Sequence, residues 1–187
     1  MSEIYDITII GGGPVGLFTA FYAHLRHAKV KIIDSLPQLG GQPAILYPEK
    51  TILDVPGFPS VTAQELTDRL LAQLNPFETT ICLEETVTAI TPGEVISLTT
   101  TKGQHQTKAV IITMGGGAFK PRPLELEDVD SYDNIHYHVA NIQQYKDQDV
   151  VVLGGGDSAV DILAFLITTP HTDQSDESHI GNRILQY

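Results

Sequence analysis

One cysteine stands in 187 residues, so no second thiol is at hand to pair with it. The lone Cys82 excludes an internal disulfide and a dithiol relay, and it fits a reducing, cytoplasmic setting. No stretch of about 18 apolar residues occurs, which excludes an ordinary membrane-spanning helix. The first apolar run, Ile7 to Ile10, is strand-sized with no basic region ahead of it, so no signal peptide is expected. Positive charge is scarce: 11 Lys and Arg stand against 23 Asp and Glu, a net charge of −12. The imbalance is local. Residues 1–122 hold 9 basic and 11 acidic side chains, whereas residues 123–187 hold 2 and 12. The basic footprint of a nucleic-acid or anionic-membrane binder is therefore missing, and the plain reading of the last third is a solvated acidic surface.

What is present suits a globular α/β protein, with 42% hydrophobic and 18% charged residues. The length holds one good domain and part of a second, since two dinucleotide-binding domains need roughly 300 residues. Residues 5–10 read as a buried strand, 14–27 as a helix opened by Pro14, and 29–34 as a second strand. Together they make one βαβ unit. Residues 35–50, rich in Gly, Pro and Gln, read as a loop, and 52–55 as a short extended piece. Thr62-Ala63-Gln64-Glu65 is a capping box, continued by the stripe Leu66, Leu70, Leu71, Leu74. Strands are expected over 79–90, 95–101 and 107–113, with turns at Pro92-Gly93 and Lys102-Gly103. Residues 124–148 are polar and irregular. A strand over 150–153 and a helix over 157–168 begin a second βα unit, and no clear strand is read in 169–187.

Two glycine fingerprints carry the chemistry; apart from them no internal repeat is found. The first is Gly11-Gly12-Gly13-Pro14-Val15-Gly16, between the first strand and its helix. There Gly11 permits the tight turn, Gly13 lets a pyrophosphate approach the backbone, and Gly16 lets the helix pack close on the sheet. The helix start offers unpaired N–H groups and a positive dipole end. Asp34, at the end of the next strand, is placed to accept the hydroxyls of an adenosine ribose. The second fingerprint is Gly154-Gly155-Gly156-Asp157-Ser158-Ala159, after Val150 to Leu153. Its pyrophosphate contacts would come from Gly154, Gly156, Ser158 and the helix start, and Ala159 in the third position favours NADP only weakly. A 2′-phosphate site would be basic, yet Arg183 is the only basic residue after Lys146. Two such sites in one chain suggest a flavin on one and a nicotinamide on the other.

These residues together resemble the two-domain flavoprotein reductases, and within them the ferredoxin–NADP reductases of the thioredoxin-reductase-like type. The resemblance runs from Tyr5 to about Asp161 and includes IIGGGPVGLFTAFYA, Gly40-Gly41-Gln42 with Tyr47-Pro48-Glu49-Lys50, Asp54-Val55-Pro56-Gly57, VIITMGGGAFKPRPLE and VVVLGGGDSAVD. It implies a Rossmann-like FAD domain with a β-rich insert over 1–117, and an incomplete Rossmann-like NADP domain over 118–187 with a divergent tail, 162–187. It implies FAD on the first site, NADPH as co-substrate on the second, and ferredoxin or flavodoxin as electron acceptor, in a family of homodimers. Asp34 would hold the ribose, Gln42 and Tyr47 would lie near the isoalloxazine, Val87 would meet the adenine through its backbone, and Phe119 would contact the flavin region. No side chain is assigned as acid, base or nucleophile; placing the cofactors would carry the reaction.

Thioredoxin reductases carry a Cys-x-x-Cys just ahead of the second fingerprint, where this chain reads His136-Tyr137-His138-Val139. Electrons would therefore leave from the flavin itself, which takes a hydride and can release electrons singly. The departure from the resemblance after about residue 161 reads as a truncation or a shifted frame, and activity is expected to be impaired. Two alternatives stay open: a non-enzymatic FAD-binding remnant or inactive fragment, and a thioredoxin-reductase-like flavoprotein that serves another acceptor. Seven histidines are present, among them His24 with His27 and His136 with His138, but no metal site is expected.

Overall fold

The computed structural model describes residues 3–117, 124–125, 128–137, 139, 142–146, 148–168 and 183–186. The chain divides into two compact units, Met1–Phe119 and Lys120–Tyr187, each with its own sheet.

In the first unit, β1 (Ile4–Ile10), α1 (Pro14–His24) and β2 (Val30–Ile33) form the expected βαβ unit, with Ile7 opposite Val30 in parallel register. The helix stops short of residue 27 because His27 adopts a left-handed φ of 60°. The His27 N–H then donates to the His24 carbonyl at 2.8 Å and the Ala28 N–H to Ala23 at 3.2 Å, a Schellman closure made without glycine. A short helix, α2 (Gly41–Leu46), lies in the stretch read as loop. Gly40 (φ 111°) and Gly41 (φ 68°) swing the chain into it.

Beyond it, β3 (Thr51–Ile52) pairs with β4 (Val61–Thr62), and α3 spans Ala63–Leu74. One arm of the capping box forms, from the Glu65 N–H to Thr62 Oγ1 at 3.1 Å. The Glu65 carboxylate turns to Arg69 at 2.7 Å. The single strand expected over 79–90 is two, β5 (Thr80–Cys82) and β6 (Val87–Thr91). Between them Glu84 takes a φ of 53° and the backbone crosses the strand ends. Strands β7 (Ile96–Thr100) and β8 (Gln104–Ile112) complete a six-stranded sheet in the order β5-β2-β1-β8-β7-β6. The first four are mutually parallel; β6 and β7 are the antiparallel insert.

The core lies between this sheet and helices α1 and α3. Ile9, Leu17, Ala20, Val30, Ile32 and Leu74 are buried there, with Leu70 and Leu71 packed against them. Each large aliphatic side chain so buried contributes roughly 1.5–3 kcal/mol. Since strand side chains alternate, Lys31 points to the opposite face from Val30 and Ile32, and it is buried there.

The second unit has 3-10 turns at Val129–Ser131 and Ile142–Tyr145, strands β9 (Ile135–His136) and β10 (Val150–Leu153), helix α4 (Asp157–Thr168) and strand β11 (Arg183–Gln186). The last strand corrects the reading of 169–187 as strandless: β11 runs parallel to β10 and to β9. Four residues with two apolar positions are too short a pattern to read alone, and pairing with Val150 to Leu153 is what defines them. Val139, Tyr145 and Ile162 are buried in this unit's core, against Val150, Val152 and Leu166. Among the described residues no helix is long and apolar enough to cross a membrane.

A methyl group at Gly16 would lie 1.9 Å from the Gly11 carbonyl oxygen, a backbone atom that cannot swing away. Gly16→Ala should therefore destabilise the protein by about 1–3 kcal/mol, the range of core overpacking. Val15→Ala, at a position 67% exposed, should change stability by less than about 0.5 kcal/mol. Urea denaturation of both variants measures the difference.

Candidate nucleotide-binding site

The first glycine turn leaves the end of β1 and enters α1. Gly11 has a φ of 106°, and a Cβ there would meet the Thr113 carbonyl oxygen at 2.6 Å. Its N–H donates to the Ile33 carbonyl at 2.9 Å, tying the turn to β2. Packing thus requires glycine at 11 and at 16. Gly13 differs, since a Cβ there would make only ordinary contact, with Gly41 Cα at 3.8 Å. Its bare backbone lines a cavity. Gly13 is also the residue preceding α1, which has no side-chain cap and no acidic residue in its first turn. The orphan N–H groups and the positive end of the helix dipole are left for an anion.

The cavity, about 370 Å³, sits at the carboxyl ends of the parallel strands, where ligands bind in open α/β sheets. Gly11, Gly13 and Pro14 line it, as do Asp34, Gln42, Tyr47, Thr86 and Val87. Gln42 Nε2 donates to the Gly117 carbonyl at 3.4 Å, linking α2 to the glycines that follow β8. Seven residues singled out in the sequence therefore meet around one space. Gly16 stands behind it at the helix–strand contact, and Phe119 lies outside the described residues.

Asp34 is buried and its carboxylate is already engaged. Oδ2 accepts the Gly12 N–H and Oδ1 accepts the Leu36 N–H at 2.8 Å. A carboxylate has about four acceptor positions, so capacity remains on both oxygens, and Asp34 lines the cavity. The Gly12 contact escaped the sequence reading; a Cβ there would lie 2.4 Å from Leu39 Cδ2, the movable end of a side chain, and 3.1 Å from Asp34 Oδ2.

A second group of residues also went unread. Cys82, Glu85 and His105 bring a thiol, a carboxylate and an imidazole nitrogen within 4.8 Å of one another. His105 Nε2 lies 2.7 Å from Glu85 Oε1, and Lys31 Nζ lies 2.7 Å from His105 Nδ1. Thr100 Oγ1 donates to the same Glu85 oxygen. Burial works to raise the Glu85 pKa, but the hydrogen bonds from Thr100 and His105 outweigh it, and the carboxyl is held below its ordinary range. Burial, with Glu85 alongside, pushes the Cys82 thiol up. The only sequence signal for this cluster was Lys31 inside an otherwise apolar strand.

The second glycine turn joins β10 to α4. Gly154 has a φ of 139°, and a Cβ at Gly155 or Gly156 would meet nothing within 4 Å. Gly154 and Gly156 are exposed. The Gly156 carbonyl accepts the Ala159 N–H at 3.0 Å as the helix begins, and Ala159 is buried. The Ser158 side chain lies outside what the structure describes.

A βαβ glycine turn, an acid at the end of the second strand and a cavity over the strand ends define a dinucleotide-binding flavoprotein fold. The chain belongs to the pyridine nucleotide-disulphide oxidoreductase family, whose model matches residues 5–171 and so runs past Asp161, where the sequence resemblance ends. Among known proteins it is similar to a ferredoxin–NADP reductase of Streptococcus suis, 80% identical over 166 residues, which are 88% of this chain and 52% of that protein. A ferredoxin–NADP reductase of Streptococcus pneumoniae is 70% identical over 173 residues, 92% of this chain and 54% of the relative. The chain thus spans about half the length of the curated relatives it matches. The thioredoxin reductase of Lactococcus lactis shares the fold at a TM-score of 0.67 and 27% identity, over 87% of this chain and 52% of that one.

Asp34→Ala leaves the buried Gly12 N–H without a partner, and should cost about 1–3 kcal/mol of stability, measured by urea denaturation. Glu85 gives a pH signature. Its folded pKa is depressed, so its contribution is fully present above the ordinary value of 4.5 and is lost as pH falls through the lower folded value. Glu85→Gln should flatten the loss of stability in that acid window relative to the parent, read as urea midpoints across the window.

Proposed function

We propose that the first unit holds FAD in the cavity at its strand ends. The second glycine turn would receive NADPH, and the whole protein would pass electrons from NADPH to ferredoxin or flavodoxin. The observation that carries the reading is the meeting of an uncapped helix start, the bare Gly13 backbone and the Asp34 carboxylate around one cavity. The high identity to ferredoxin–NADP reductases of streptococci supports the choice of donor and acceptor.

The residues fit the group chemically. Gly13 and the start of α1 present backbone N–H groups to a pyrophosphate, which needs donors and no side chain in the way. Asp34 accepts the adenosine ribose hydroxyls on its remaining lone pairs and repels a 2′-phosphate, favouring FAD over an NADP-type nucleotide at this site. The backbone of Val87 meets the adenine, and Gln42 and Tyr47 border the isoalloxazine side. Ser158 and the α4 start serve the second pyrophosphate. Bound FAD supplies a two-electron acceptor able to release electrons one at a time. The chain contributes position, polarity and exclusion of water from the apolar wall. Cys82 is the only thiol in these 187 residues, which favours direct transfer to the acceptor over a dithiol relay.

Adding FAD to the purified chain should give the visible spectrum of bound flavin, and NADPH added without oxygen should bleach it, more slowly than in a full-length relative. NADPH-dependent reduction of cytochrome c should then rise when ferredoxin or flavodoxin is supplied. Failure to take up FAD would overturn the cofactor assignment, and bleaching with no gain from either protein would overturn the acceptor.

A further inference from the structure

The polar cluster on the sheet face opposite α1 and α3 has no part in the reading above, yet one of its members, Glu85, lines the cavity. Lysine is a donor only, so the contact from Lys31 Nζ requires an unprotonated His105 Nδ1. The imidazole proton then sits on Nε2, which donates to Glu85. His105 is thus a neutral bridge between a buried ammonium and a buried carboxylate. A metal ion on Cys82, Glu85 and His105 would take Nε2 and force the proton to Nδ1, against the Lys31 ammonium. The tautomer therefore favours a hydrogen-bonded chain over a cation.

The chain ends on the segment that borders the cavity. The Glu85 N–H donates to the Asp34 carbonyl at 2.9 Å, and the Glu84 N–H to the Leu36 carbonyl at 3.0 Å. On the other side the Thr86 N–H donates to Thr101 Oγ1 at 3.1 Å, and Lys102 Nζ to the Leu83 carbonyl at 2.9 Å. Glu85 joins the two: its backbone holds the end of β2, and its side chain is fixed by His105 and Thr100.

We propose that His105 is a positioning residue for nucleotide binding, holding Glu85 and so the Thr86–Val87 edge of the cavity through its neutral, Nε2-protonated form. This rests on the cavity being the FAD site. Protonating His105 would set two cations face to face at Nδ1 and Nζ and break the Lys31 contact. The groups facing the imidazole are Lys31 from β2, Glu85, and the Cys82 thiol, within 4.8 Å of a ring nitrogen. Cys82 and Lys102 face Glu85 from β5 and the β7–β8 turn. Tyr5 on β1 lays its ring 4.1 Å from Lys31 Nζ, with Lys29 5.2 Å from the same ring and Glu3 on its hydroxyl. His105 thus acts through the acceptor it offers Lys31 and the donor it offers Glu85.

The test is FAD titration of the full chain by flavin fluorescence, with His105→Gln and His105→Leu beside the parent. Glutamine can donate to Glu85 and accept from Lys31, so His105→Gln should bind like the parent. Leucine can do neither, and His105→Leu should bind roughly fivefold or more weakly at the same pH. Equal affinities in the parent and His105→Leu, or an equal loss in His105→Gln, overturn the proposal. Hydrogen exchange of the Glu85 and Thr86 amides without nucleotide, corrected for intrinsic rates, separates this from the flavin reading. Faster exchange in His105→Leu but not in His105→Gln supports the positioning role even if FAD fails to bind, and identical rates in all three overturn it.

Discussion

Asp34 is the joint on which the rest of the first unit turns. Its carboxylate accepts Gly12 and Leu36, its N–H donates to the Cys82 carbonyl at 2.9 Å, and its own carbonyl accepts Glu85. One residue thereby fixes the glycine turn after β1, the loop after β2 and the crossing after β5. A buried carboxylate is costly unless it is hydrogen-bonded, and here the backbone of neighbouring strand ends supplies the donors. The cavity wall is a consequence of that arrangement. The glycine turn can stay open toward a ligand because it is held from behind.

Much of this was legible because it is written locally. Ile7 to Ile10, the glycine spacing, Pro14 and the acid after Ile33 are contiguous signals, and the βαβ unit follows from them. The Thr62 cap and the leucine stripe of α3 were readable for the same reason. The break between β5 and β6 was not. Leu83 to Thr86 belong to a run rich in Thr, Val and Ile, and the strand stops there because distant groups hold it: Leu36, Asp34, Thr101 and Lys102. The helix at Gly41–Leu46 was hidden by its glycines and proline, which in isolation signal a loop. The left-handed turns at Gly40 and Gly41 show why they also start a helix.

The two faces of the first sheet obey different chemistry. Toward α1 and α3 the strands are aliphatic, as parallel strands buried under helices should be. On the other face Lys31, His105, Glu85 and Thr100 form a polar layer next to Tyr5. In strand terms Lys31 breaks the apolar pattern of Val30, Ile32 and Ile33. It is tolerable because the ammonium meets an imidazole nitrogen and an aromatic face, and the carboxylate at the far end of the imidazole balances its charge. Such a layer stabilises little beyond what desolvation removes, but it admits few alternative arrangements. That is the property a cavity edge requires.

The glycines divide by what demands them. At 11 and 16 a methyl group would strike the Thr113 or the Gly11 carbonyl, so the fold alone accounts for their size; at 12 it would meet the movable end of Leu39. At 13 it would strike nothing closer than 3.8 Å, and at 155 and 156 nothing within 4 Å. Packing is silent at these three, and the backbone they leave bare stands at the start of a helix in both units. The two turns are not equivalent in depth. Gly16 brings α1 so close that no methyl group fits, whereas Ala159 carries one and is fully buried. The tightness of the first turn comes from the Gly16 contact with the Gly11 carbonyl behind it.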